Sequence, residues 1–268
     1  MKKLLFSGLA TLALLLPSAH AAAEADRGFV PLFNGKNLDG WNLKIRSGDA
    51  ELAKKVFTVE DGMIHGFGGL PDRYELDTGS NATHGMIYTT KKYRRFIFRF
   101  EYKWGTKIAN NFAQFQYDAG CYFHVSNDKI WPTGIEFQIR YDSVNRVNHT
   151  GDFWSPPDTK IQWYSADGRT FALPRDGGKP QPIKKAEHLG LANAPYHGLD
   201  GQWNKCEVIV MGGAYAIQKL NGVIINLATD ITPSEGLIGL QAETAEIFYR
   251  NLEIKELTED LPMEAFLK

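Results

Sequence analysis

The chain of 268 residues has only two cysteines, Cys121 and Cys206, and almost no excess of either charge: 30 Lys and Arg stand against 31 Asp and Glu. Two cysteines so far apart build no disulfide framework and no zinc motif, so both are expected as small buried side chains, with one disulfide as the alternative. A near-neutral chain offers no electrostatic footprint for nucleic acid or an anionic membrane. Past the first twenty residues there is no apolar run long enough to span a bilayer, and hardly any stretch keeps a helical period. Internal repeats and low-complexity segments are absent as well.

What is present begins with a leader. Met1-Lys2-Lys3 is followed by the apolar run "LLFSGLATLALLLP" and by the small-x-small triplet Ala19-His20-Ala21. This pattern predicts a secretory signal peptide over 1–21, cleaved after Ala21, and hence a secreted or periplasmic bacterial protein without a membrane anchor. A short linker, 22–28, precedes one large domain over 29–257, and 258–268 form a C-terminal tail.

Within the domain, strand patterns recur between turn signals. Asp61-Gly62 and Asn221-Gly222 predict hairpins. In "RRFIFRFEYKW", Phe96, Phe98, Phe100, Tyr102 and Trp104 share one face, and Arg99, Glu101 and Lys103 the other. In "GCYFHVS", Cys121, Phe123 and Val125 are expected inward, with Tyr122 and His124 opposite. "TGIEFQIRYDSV" alternates Ile135, Phe137, Ile139 and Tyr141 with Glu136, Gln138, Arg140 and Asp142. Residues 155–202, rich in Pro, Gly and charge, read as a long functional or disordered loop. Many antiparallel strands without α/β alternation predict an all-β jelly-roll sandwich of two antiparallel sheets. If the three polar rows pair in sequence order, they form one patch suited to sugars.

The order of motifs adds a resemblance. "FVPLFNGKNLDGW", "VEDGMI", "TTKKYRRFIFRFEYKW", "GIEFQIRYD", "GQWNKCEVIV", "LNGVIIN" and "GLIGLQAETAEIFYRNLEI" together resemble the 3-keto-disaccharide hydrolase family over about residues 29–257. The resemblance implies a concanavalin-like jelly roll and action on glycosides oxidised at carbon 3 of the sugar. An upstream sugar 3-dehydrogenase would then be the pathway partner.

The chemistry such a substrate needs can be argued from the ketone. A carbonyl at carbon 3 acidifies the hydrogen on carbon 2, a base removes it, and the group on carbon 1 leaves by elimination. Water then adds back, or hydrolysis is direct. The site needs a base, a group that stabilises the enolate oxygen and an acid for the leaving oxygen. Glu136 is the first candidate acid–base residue, with Lys103 as positive charge and His124 as proton carrier or metal ligand. Gln138, Arg140, Asp142, Glu101 and Tyr122 are candidates to hold sugar hydroxyls, and Trp131, Trp154 and Trp163 to stack on sugar rings. The metal ligands are unassigned, and a divalent metal ion is an open cofactor. The alternative of a different class is a non-catalytic carbohydrate-binding module; a laminarinase-like hydrolase is weaker, because the paired carboxylates it needs are missing.

Overall fold

The computed structural model describes residues 27–72, 81–110, 117–156, 158–182 and 186–268. The predicted leader lies outside the described residues. Among them, no helix is long and apolar enough to cross a membrane.

The strands, in chain order, are β1 (Val30–Pro31), β2 (Trp41–Ile45), β3 (Phe57–Glu60), β4 (Met63–Gly66), β5 (Gly85–Thr89), β6 (Arg95–Ile108), β7 (Tyr117–Val125), β8 (Ile135–Asp142) and β9 (Val147–Asn148). They continue with β10 (Phe153–Ser155), β11 (Lys160–Ser165), β12 (Lys179–Pro182), β13 (Ala186–His188), β14 (Asn204–Met211), β15 (Tyr215–Leu220), β16 (Val223–Thr232), β17 (Leu237–Ala242) and β18 (Ala245–Glu256). A short helix, α1 (Ala50–Val56), starts where the Asp49 carboxylate accepts hydrogen bonds from the Glu51 and Leu52 amides.

Two antiparallel sheets face each other, as the alternation predicts. The larger runs β12-β11-β16-β15-β14-β6-β18-β4-β3, with β1 beside β18. The smaller runs β13-β10-β8-β7-β17-β5-β2, with β9 beside β8. Phe96, Phe98, Phe100 and Tyr102 of β6 fill the space between the sheets together with Phe123, Ile135, Phe137 and Ile139. Phe100 and Phe137 meet edge to face across that space, their ring centroids 6.0 Å apart. Cys121 and Cys206 are both buried free thiols. The Asp61-Gly62 and Asn221-Gly222 hairpins form as predicted, and all four residues take positive φ as such two-residue turns demand.

Two expectations change. The 155–202 segment is not one loop, because β11 pairs with β16 and β12 with β11, extending the larger sheet. Nor do the three polar rows lie side by side. β6 sits between β14 and β18 in the larger sheet, whereas β7 and β8 belong to the smaller one. Alternation fixes which face of a strand is polar, but not which sheet receives it. The tail is tied down: Leu261, Met263, Phe266 and Leu267 pack against the core, and Leu261 O accepts a hydrogen bond from Tyr215 Oη.

Candidate functional site

The polar residues of β8 point away from the core, yet they are not in water. Glu136, Gln138 and Arg140 are 3%, 5% and 7% exposed. They line a cavity of about 140 Å³ together with Asp118 and Tyr122 of β7, Trp131, Trp154 of β10, and Glu243 just past the end of β17. Burying carboxylates and a guanidinium is costly unless they find partners or a use.

Strand register explains how this set assembles. One row across the outer face of the smaller sheet runs Trp154, Glu136, Tyr122, Gly239, Tyr88, Asn42. Within it Tyr122 Oη donates a hydrogen bond of 2.6 Å to Glu136 Oε2. The Glu136 side chain lies over Gly120, where a Cβ would stand 2.1 Å from Oε1, so the carboxylate occupies the space a larger residue would fill. A second row, nearer the other end of the strands, starts with the pair Arg140 and Asp118. Its next members follow from the ends of the β17–β5 and β5–β2 ladders, where Ala242 and Ile45 both oppose Gly85. One step further lie Glu243, His84 and Arg46. His84 Nδ1 is 3.8 Å from Glu243 Oε1, and the Arg46 amide donates to the His84 carbonyl. Trp131 covers this end, its ring 5.5 Å from the His84 ring and 5.4 Å from the Arg46 guanidinium.

The second row is tuned electrostatically. Burial, and next the neighbouring Glu243 charge, push the Asp118 carboxyl well above its usual range. Burial raises Glu243 to about 7, against the pull of Arg140. Burial and then Arg46 lower His84 to about 4. Asp118 Oδ1 accepts a 2.5 Å hydrogen bond from Gln138 Nε2. Between the rows, Gln241 is 1% exposed and its Oε1 has no hydrogen-bond partner among the described residues.

Of the residues singled out from sequence, Glu136, Gln138, Arg140, Tyr122, Trp131 and Trp154 converge on the cavity. Five do not. Lys103 and Glu101 lie on the outer face of the larger sheet: Lys103 Nζ is 5.0 Å from the Trp203 ring, and Glu101 accepts from Arg250 Nε at 2.8 Å. His124 leaves the expected alternation because β7 bulges there. Its φ is +53°, and Phe123 and His124 together oppose Ile238 where the β17 register slips. The ring turns edge-on to Phe96, between the carbonyls of Arg94 and Pro233, while Val125 moves to the outer face beside Tyr122. Asp142 closes the turn after β8, accepting from the Val144 and Asn145 amides. Trp163 is buried in the core, where its Nε1 donates to Asn226 Oδ1.

Asp118, Glu243 and His84 escaped the sequence reading. For Asp118 the signal exists: counting back from Tyr122 in steps of two passes Gly120 and reaches it. Glu243 and His84 stand in turns flanking short strands, where no periodicity marks them. As for the divalent ion, no group of three or more His, Cys, Asp or Glu is placed to hold one among the described residues.

Comparison with known proteins bears on this geometry. No curated protein matches the chain significantly. Among solved structures, a proposed glycosyl hydrolase from Parabacteroides distasonis superposes with a TM-score of 0.52 at 22% identity, covering 90% of this chain and 98% of that one. A second proposed glycosyl hydrolase of the same organism gives 0.49 at 19%, covering 85% and 99%. The carbohydrate-binding module CBM66 from Bacillus subtilis gives 0.47 at 12%, covering 82% and 98%. At these identities the first similarity supports the fold, an all-β jelly roll of two antiparallel sheets, and nothing about activity. The model of the 3-keto-alpha-glucoside-1,2-lyase-like domain, however, matches residues 28–255. The cavity on the smaller sheet lies wholly within that match, and the chain belongs to this carbohydrate-active family.

Proposed function

We propose that the protein is an enzyme that cleaves 3-keto-glycosides by abstracting the proton next to the ketone. The observation that carries this reading is the enclosure of one carboxylate, Glu136, in the same small cavity as the guanidinium of Arg140. Glu136 takes the proton from carbon 2. Its geometry is preset, because the Tyr122 hydroxyl fixes one oxygen and Gly120 leaves room for the other. Arg140 supplies the positive charge that a developing enolate at the carbon 3 oxygen requires, in a cavity where water screens little. The electron pair left on carbon 2 forms the double bond to carbon 1, and the glycosidic oxygen departs with its bonding pair and a proton. Addition of water across the double bond returns the 3-keto sugar. Trp131 and Trp154 offer apolar faces to the ring.

The substrate must be supplied by an oxidation of the carbon 3 hydroxyl, the work of a sugar 3-dehydrogenase. The leader pattern supports export to the periplasm or beyond. A divalent ion bound with the substrate is part of the same proposal and is tested with it.

The experiment follows aglycone release from a 3-keto-glucoside and from its unoxidised parent, with and without EDTA. Release is expected from the keto form alone, and Glu136→Gln should reduce it by about 10²–10⁴-fold, the worth of one positioned acid–base group. EDTA sensitivity would add a metal to the site. Binding of both sugars without release from either would replace the reading with a non-catalytic carbohydrate-binding protein.

A further inference from the structure

We propose that Glu243 is the acid that protonates the departing glycosidic oxygen, and that His84 is the residue that positions it. The inference rests on the cleavage reading above and names the group that reading leaves open. Elimination moves two protons, one off carbon 2 and one onto the oxygen on carbon 1, and a carrier on the leaving-group side leaves Glu136 free to serve carbon 2. Among the described residues, three carboxyl groups line the cavity, those of Glu136, Asp118 and Glu243. Glu136 is committed to Tyr122, and the Asp118 carboxyl to Gln138, with Arg140 opposite it in the ladder. Glu243 is different. No hydrogen bond to its carboxyl is seen among the described residues, and His84 Nδ1 lies 3.8 Å from its Oε1.

Position agrees with this role. Glu243 follows the last residue of β17, two strands across from Glu136 and four residues along, so the two carboxyls enter the cavity from different sides. Its side chain is 14% exposed, against 3% for the whole of Glu136, which sets it toward the opening by which an aglycone leaves. Trp131 roofs the same end, over His84 and Arg46. Among the described residues, the titratable and charged groups around the Glu243 carboxyl are Asp118 from β7, Arg140 from β8 and His84 ahead of β5, with Glu136 and Tyr122 also lining the cavity. Two carboxyls side by side with little water do not both ionise, which keeps a proton available near neutral pH. His84, held neutral by burial, can donate to the new carboxylate once that proton has gone.

The proton balance is simple. Glu136 gains the carbon 2 proton. The carbon 1–oxygen bond breaks, its electron pair goes to the oxygen, and the Glu243 proton follows. Water entering the double bond restores both carboxyls.

The test uses the full chain and three readouts: release of methanol from a methyl 3-keto-glucoside, release of nitrophenol from the nitrophenyl analogue, and deuterium exchange at carbon 2 of the methyl substrate in D2O. Nitrophenolate leaves without help from an acid, whereas methoxide does not. In Glu243→Gln, methanol release should fall at least about 10²-fold, nitrophenol release should stay within about fivefold, and carbon 2 exchange should persist. Persistent exchange also shows that the variant is folded. His84→Asn should cost less, about tenfold on the methyl substrate, and shift the pH profile of that reaction alone. Equal loss on both substrates, loss of exchange, or no loss at all would each overturn the assignment. If the unmodified protein neither exchanges carbon 2 nor releases either aglycone, the cleavage reading fails first and the assignment falls with it.

Discussion

Two buried histidines, one on the outer face of each sheet, stand against a glutamate. His65 of β4 is gripped from both sides, with Nε2 2.7 Å from Glu246 Oε1 and Nδ1 3.0 Å from Glu60 Oε2, and its ring stacks on Phe248 at 4.1 Å. The other oxygen of Glu246 accepts from the amides of Thr106 and Lys107, and Lys107 Nζ caps the carbonyls of Phe67, Gly68 and Leu70. His84 Nδ1 stands 3.8 Å from Glu243 Oε1, and the Glu243 carboxyl faces a cavity. The residue types are the same and the outcomes opposite. Despite burial, the bonds to His65 and to the two amides hold Glu246 down at about 2, while burial raises Glu243 to about 7. Charge-assisted bonds to fixed partners fasten strands together, whereas a carboxyl buried beside a cavity keeps its proton to higher pH.

The comparison can be broken most directly by cutting the satisfied cluster. Glu246→Gln leaves His65 and two backbone amides short of a charged acceptor, and should cost roughly 1–3 kcal/mol in urea unfolding. Turnover per folded molecule should not change; a loss of turnover at full stability would move the functional site to the larger sheet.

The second way is titration, because the two glutamates contribute with opposite sign. Glu243 is raised above its ordinary 4.5, so the native state holds its proton longer than the unfolded chain does. Its contribution is full below about 4.5 and is lost as pH rises through about 7. Glu246 is lowered, so its contribution is present above about 4.5 and is lost as pH falls through about 2. Glu243→Gln should therefore flatten the fall in stability between about pH 5 and pH 8, gaining about 1–3 kcal/mol at the upper end. An unchanged slope would show that Glu243 ionises as an ordinary surface carboxylate does. The smallest effect is expected from Lys103→Met, which lies on the larger sheet and should leave release of either aglycone within about twofold of the unmodified protein. A large loss there would restore the lysine to the chemistry.

Much of this architecture is legible in the residues. Alternation in 135–142 separates the core face from the polar face of β8 correctly, and Asp-Gly and Asn-Gly place two hairpins. What is not legible is long-range pairing. β6 carries as clear a polar row as β8, yet it joins the opposite sheet, and with it go Glu101 and Lys103. A single inserted residue is equally invisible: the bulge at His124 reverses the phase for that residue and for Val125. Glu243 and His84 meet only because two strand ends far apart in sequence are neighbours in the sheet. Local pattern specifies faces, and tertiary register specifies sites.

Register also dictates when the site can exist. β17 is the next-to-last strand in the chain, yet it inserts between β5 and β7 and holds the two halves of the smaller sheet together. Before residues 237–243 have been synthesised and docked, His84 and Arg46 have no ladder linking them to Asp118 and Arg140. A nascent chain that stops short of them therefore carries neither the complete cavity nor the Glu243 carboxyl. Because such distant pairings form slowly, the cavity is completed in one late step, and the folding clock sets the moment at which it first exists.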